Sequence, residues 1–217
     1  MKKLKGMFVV IAALFVAGGD TAYYGAMSQF GIEKSDILRD RVEDAMEAQS
    51  DAKEEFQSAF EQFSSVVEVE RTELKETYED LNDAYEDAES KALAVSDRID
   101  AVEDVSEDLF SEWESEIEEI SSADLRRASG RQLRDSRTRY GQLMKSMRRA
   151  ESRMAPVLTA FKDQVLFLKH NLNAQAIASL RNELGNIETD VSTLIREMEA
   201  SIERSQAFIR DMQVEAS

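Results

Sequence analysis

From residue 35 onward the apolar residues of the chain recur at alternating steps of four and three, the spacing that lines one seam of a helix packed on other helices. The first run is Leu38, Val42, Ala45, Gln49, Ala52, Phe56, Ala59, Phe63 and Val66, and it predicts a helix from about Ser35, whose hydroxyl suits an N-cap, to about Val67. A second run, Leu74, Tyr78, Leu81, Tyr85, Ala88, Ala92, Val95, Ile99, Val102, Ser106, Leu109 and Trp113, keeps the rhythm without a skip and predicts a helix from about Thr72 to Ile120. Ser121, Ser122, Ala123 and Asp124 then gather loop formers and helix caps in one place, so the chain is expected to reverse there. Leu133, Tyr140, Met147, Met154, Phe161 and Leu168 stand one heptad apart and predict a third helix from about Leu125 to Leu172, with Asn171 and Asn173 marking its end. Ile177, Leu180, Leu184, Ile187, Val191, Leu194, Met198 and Ile202 predict a fourth, from about Ala174 to Met212. The expected fold is all-α: an elongated antiparallel coiled-coil four-helix bundle with a long central hairpin, occupying residues 35–213.

Two features interrupt the pattern. Pro156, the only proline, falls inside the third helix with Met154 and Phe161 in phase on either side, which favours a bend over a break. Gln49 and Ser106 are polar residues in otherwise apolar seams; such residues either fix register at a cost in stability or are simply tolerated.

The first residues differ in kind. Lys2, Lys3 and Lys5 precede an apolar run of eleven residues, Met7 to Ala17, followed by Gly18 and Gly19. A membrane span needs roughly 20 apolar residues, so residues 1–19 read as a secretory signal peptide cut between Gly19 and Asp20. An uncleaved signal anchor and a cytosolic protein with an apolar N-terminus are the alternatives. Residues 20–34 read as a linker. The expected location is periplasmic, or membrane-associated through an uncleaved signal.

Charge adds a test of the reversal. The chain of 217 residues carries 44 acidic and 27 basic residues, a net charge of −17, which repels nucleic acid and anionic lipid at long range. Residues 33–124 hold 32 acids and 8 bases, whereas residues 126–153 hold 10 bases and 2 acids. Folding the second and third helices back on one another brings Arg127 near Glu118, Arg131 near Glu114, Arg137 near Asp108, Lys145 near Asp100 and Arg148 near Asp97. Exposed pairs of this kind contribute about 0–1 kcal/mol each, so they select a partner helix more than they stabilise it. The other reading of the block is an anion site for lipid or anionic polymer, formed by Arg126, Arg127, Arg131, Arg134, Arg148 and Arg149. Tyr140 is the only aromatic residue interleaved with these arginines, so no nucleic-acid partner is expected.

Candidate chemistry is sparse. His170 is the only histidine, and Phe167 occupies the position three before it, where a carboxylate-bridged di-metal bundle needs Glu. The sequence has no Cys, phosphate loop or metal-ligand cluster, and the neighbouring Glu116, Glu118 and Glu119 read as a solvated face. No enzyme activity, cofactor, metal or small-molecule substrate is therefore expected. A first helix of about 33 residues spans about 50 Å, against about 70 to 75 Å for the second and third. On that reckoning Phe110, Trp113, Ile117 and Ile120 lie in a two-helix overhang, a candidate contact surface for an envelope protein or a second copy of the chain.

The stretches DILRDRVEDAMEAQSDAKEEFQSAFEQF (36–63), DRIDAVEDVSEDLFSEWE (97–114) and DQVLFLKHNLNAQAIASL (163–180) resemble the domain of unknown function 2959 family, a group of uncharacterised bacterial envelope proteins. The likeness spans about Thr21 to Ile209. It implies an address and no mechanism. Members of the family often look like lipoproteins, with a Cys just before a segment similar to TAYYGAM (21–27); Gly19 stands where that Cys would fall, so thioether lipidation cannot occur there. The expectation is a non-enzymatic exported scaffold or spacer of the cell envelope.

Overall fold

A computed structural model describes residues 19–66, 74–171 and 174–215, with side chains over 35–66, 75–171 and 177–212. It consists of four helices, α1 (Gly19–Ser65), α2 (Leu74–Glu119), α3 (Ala123–His170) and α4 (Ala174–Glu215). Each helix packs on two others in a ring, α1 on α2 and α4, and α3 on α2 and α4. Cross-helix ion pairs give the direction: Lys91–Asp51 and Arg98–Asp44 step oppositely along α1 and α2, as Arg137–Glu114 and Arg148–Glu103 do along α2 and α3. The bundle is antiparallel, and α2 and α3 form its long central hairpin. The signal peptide expected over residues 1–19, all but its last residue Gly19, and the expected helix limits at Val67, Thr72 and Leu172 lie outside the described residues.

The hairpin turn forms for local reasons. Ser122 adopts extended backbone geometry and its Oγ accepts a hydrogen bond from the Leu125 amide at 3.5 Å, which relieves one of the free N–H groups at the start of α3. At the other end the Asn171 amide donates to Leu168 O at 3.1 Å and its side chain donates to Phe167 O at 3.0 Å. Lys169 and His170 lie in the last turn of α3, where the helix dipole favours positive charge. His170 is exposed there. α3 continues unbroken through Pro156. Pro156 is itself exposed, so the carbonyl it leaves without a helical partner lies on the outer side of the bundle.

All nine residues expected in the first seam are buried. In α3 the heptad row is joined by a second row, Leu143, Ala150, Val157 and Val165, which widens the buried stripe to serve two neighbours. The Phe161 ring stacks on Phe63 at 4.5 Å between centroids and 6° between planes, and on Phe56 at 6.4 Å. This stack joins α1 to α3 across the diagonal of the bundle, where neither connecting turns nor surface charges can hold them.

Three expectations change. The segment 20–34, read as a linker, is helical, because α1 starts at Gly19. It contains no proline, and Gly25 and Gly31 each weaken a helix by only about 1 kcal/mol relative to Ala. In α4 the buried row passes from Met198 to Ser201 and Ser205, then to Phe208 and Ile209, while Ile202 is half-buried. The heptad step after Met198 is three, not four; an apolar side chain one position later drew the sequence pattern off the true seam. The ion-pair register also shifts, as described below.

Tyr85 couples α2 to pH. Its ring is buried under Lys162 of α3, and its hydroxyl donates to Glu89. Burial first, and the hydrogen bond to Glu89 second, push its pKa up to about 12. The unfolded chain titrates this phenol near its ordinary value of about 10, so the unfolded state loses the proton first as pH rises. Stability from Tyr85 is complete below pH about 10 and is lost between there and about 12. Tyr85→Phe should therefore flatten the alkaline fall in melting temperature; an identical alkaline profile in the variant would remove Tyr85 as its cause.

Candidate functional site

Arg126, Arg137 and Arg148 stand eleven residues apart, close to three full helical turns, so they share the face of α3 turned to α2. Arg126 donates from Nε and Nη2 to the Ile120 carbonyl at 2.9 and 2.7 Å, tying the start of α3 to the end of α2. Arg137 pairs with Glu114 and lies over the Phe110 ring at 5.4 Å. That pairing holds the Glu114 carboxyl below its ordinary pKa and the Arg137 guanidinium above its own. Arg148 reaches Asp100 at 2.6 Å, Glu103, and Glu151 of its own helix at 3.0 Å.

The acids that answer Arg137 and Arg148 are not Asp108 and Asp97, as simple opposition about the turn suggests, but Glu114 and the pair Asp100 and Glu103. The reason is geometric. Helical side chains lean toward the N-terminus of their own helix. On α3 that direction is toward the turn, and on α2 it is away from it. An arginine therefore meets an acid whose backbone lies nearer the turn than its own, which raises the residue number of each α2 partner.

The rest of the basic block does not converge. Arg127 pairs with Asp124 within α3, and Arg149 pairs with Glu197 of α4 at 2.6 Å. Arg131 and Arg134 are exposed and form no ion pair among the described residues. From Arg126 to Arg149 the helix advances about 35 Å, so the six arginines of the candidate anion site are a stripe on two faces of α3, with no common pocket.

At the hairpin end Phe110 is only 7% exposed, packed edge-on against Tyr140 at 5.4 Å. The Trp113 Nε1 donates to Ser129 Oγ at 3.0 Å. Trp113, Ile117 and Ile120 are half-buried, and Leu125 is 44% exposed. A groove of about 300 Å³ runs beside Phe110, between Glu103, Glu107 and Glu114 on α2 and Arg137 and Tyr140 on α3. The expected overhang does not stand: α1 has 47 residues against 46 in α2 and 48 in α3, so all three span about 70 Å. Phe110 is thus a packing residue of the hairpin, and among the described side chains at this end Trp113, Ile117 and Ile120 stay partly exposed and Leu125 is exposed. Of the residues that order this end, Ser129 escapes the apolar pattern, whereas Tyr140 stands in the expected heptad row of α3 and Arg137 is marked by the charge opposition across the turn and by the eleven-residue spacing of the arginines.

Among the described residues no group of His, Cys, Asp or Glu is arranged to hold a metal ion, and no helix is long and apolar enough to cross a membrane. The molecule is an all-α antiparallel bundle whose buried positions are given over to interhelical packing. It belongs to the family described as Protein of unknown function (DUF2959), which matches residues 23–212. No curated protein and no solved structure matches the chain.

Proposed function

We propose that this protein is a non-enzymatic, exported coiled-coil scaffold or spacer of the bacterial cell envelope. The observation that carries the reading is the use made of its residues. The seams are occupied by packing along α1 to α4, and Arg126, Arg137, Arg148 and Arg149 of the basic block are engaged with acids or a carbonyl of the same chain. What such a molecule offers is a rod about 70 Å long with distinguishable ends. The lysine-led apolar run before Gly19 supports export. The partner is an envelope protein or a second copy, met at the hairpin end through Trp113, Ile117, Ile120 and Leu125.

Cross-linking and pulldown from fractionated envelopes tests the reading, with mass spectrometry of the mature N-terminus on the same material. The expected product begins at Asp20 in the periplasmic fraction and is cross-linked to a discrete protein or to itself. Ile117→Ser with Leu125→Ser should abolish that cross-link while helical content, read by circular dichroism, is unchanged. An intact Met1 in a cytosolic fraction would end the export reading, and a cross-link unaffected by the double substitution would end the assignment to the hairpin end.

A second reading is favoured by the outward stripe of Arg127, Arg131 and Arg134, all exposed. It is binding of an anionic lipid or polymer. Salt-sensitive retention on anionic vesicles, lost on Arg131→Glu with Arg134→Glu, is its expected signature; no retention at low salt would remove it.

A further inference from the structure

Along α2, Asp97, Asp104, Ser111 and Glu118 stand one heptad apart, each two positions before a residue of the inward row, and all four are exposed. Along α3, Arg131, Thr138, Lys145 and Ser152 hold the same place in their heptads and are also exposed. The acids and bases of these two rows form no ion pair among the described residues. Within one copy they are turned apart on the outer side of the hairpin. The contacts between the helices fall to neighbours nearer the groove, Asp100 and Glu114 on α2 with Arg148 and Arg137 on α3.

Those pairs, with the Ser96–Glu151 hydrogen bond, fix the level at which the two helices lie side by side. Arg131 stands level with Glu118, Thr138 with Ser111, Lys145 with Asp104 and Ser152 with Asp97. A two-fold axis parallel to the bundle, placed over the α2/α3 groove, lays α3 of each copy on α2 of the other and keeps these levels. Arg131 and Lys145 then meet Glu118 and Asp104 of the second copy, and small polar side chains meet between them. The row one step nearer the groove agrees: Arg134 faces Glu114, Gly141 leaves room for Glu107, and Leu93, 63% exposed, faces the exposed Ala155. In neither row does a level set like charges together. The other face-to-face two-fold, with its axis across the bundle, lays acid on acid and base on base, which like-charge repulsion penalises.

We propose that two copies of this chain associate side by side and in parallel through the outer α2/α3 face, the basic row of each lying on the acidic row of the other. At physiological ionic strength charges interact over about 8 Å. The net charge of −17 on each copy is therefore screened across most of the pair, while groups in contact still attract. This association is independent of export and of the contact assigned to the hairpin end.

The outer rows can be reversed without removing an ion pair of the fold. In the full chain, Arg131→Glu with Lys145→Glu makes one variant and Asp104→Lys with Glu118→Lys the other. The unaltered chain should sediment at physiological salt as a concentration-dependent dimer. Each variant alone should dissociate at least about tenfold more readily, with unchanged circular dichroism. Mixed, the two variants restore every opposition and should form a heterodimer as tight as the original. Orientation is read from introduced thiols, since the chain has no Cys: a short bismaleimide should join Ser111→Cys chains to Thr138→Cys chains, and neither to itself. A monomer at every concentration, variants that associate as tightly as the original, or a mixture no tighter than its parts would each overturn the proposal, as would joining of Thr138→Cys chains to themselves. Ile117→Ser with Leu125→Ser should leave this dimer intact; its loss there would assign the association to the hairpin end instead.

Discussion

Phe161→Ala is expected to destabilise the bundle by about 3–5 kcal/mol, the range for removing a buried aromatic ring from a well-packed core. The ring is fully buried and stacks on both Phe56 and Phe63, so truncation removes two ring contacts as well as the area buried. It also leaves α1 and α3 without their diagonal contact, which two aromatic faces meeting a methyl group cannot close. For a chain of this size about 1 kcal/mol corresponds to roughly 2–4 °C, so the melting temperature should fall by at least about 6 °C. Leu166, 46% exposed on the same helix, is the control: its replacement by alanine should change stability by less than about 0.5 kcal/mol. Comparable effects of the two substitutions in thermal or urea melts would mean that the aromatic stack is not part of the core.

Arg148→Glu is expected to cost about 1–2 kcal/mol and, more tellingly, to be reversible by charge exchange. The guanidinium lies among Asp100, Glu103 and Glu151, and its side chain is 36% exposed, so solvent screening limits each contact. Burial alone would lower its pKa, and hydrogen bonds to Glu103, Asp100 and Glu151 outweigh that and raise it above the ordinary value. Substitution by glutamate sets four acids together in place of three acids around a cation. Asp100→Arg with Glu103→Arg in the same chain should recover most of the loss, because the opposition is restored with the signs exchanged. Raising the salt concentration should shrink both the loss and the recovery. A triple variant no more stable than the single one would show that the α2/α3 register is held by the apolar seam alone.

The surroundings of Arg148 bear on what charge patterning can be read for. Opposite blocks flanking residues 121–124 identify which helices pair, and the structure has that pairing. The individual partners differ from those expected because opposition about a turn treats side chains as perpendicular to their helices, whereas they lean toward the N-terminus. Arg131 shows the other limit: it shares the sign and spacing of its neighbours yet is exposed and has no ion pair among the described residues, so residue type alone does not distinguish a bridging arginine from a solvated one.

The four helices, their order, the hairpin turn at Ser122 and most of the buried seam follow from the amino-acid pattern, because a heptad repeat is a local property: each helix records which of its faces must leave water. Packing of four such faces settled the remainder. Ser201 and Ser205 lie in the core because the α4 seam steps three residues after Met198, a choice made by the neighbouring helices and not by the side chain at 201. Gln49 has no hydrogen-bond partner among the described residues, which no spacing within α1 records. Phe110 is a packing residue because Tyr140 and Arg137 reach it from a different helix. A repeat specifies the face that each helix turns inward, while the level at which faces meet, and hence which polar atoms are satisfied there, is a property of the assembled bundle.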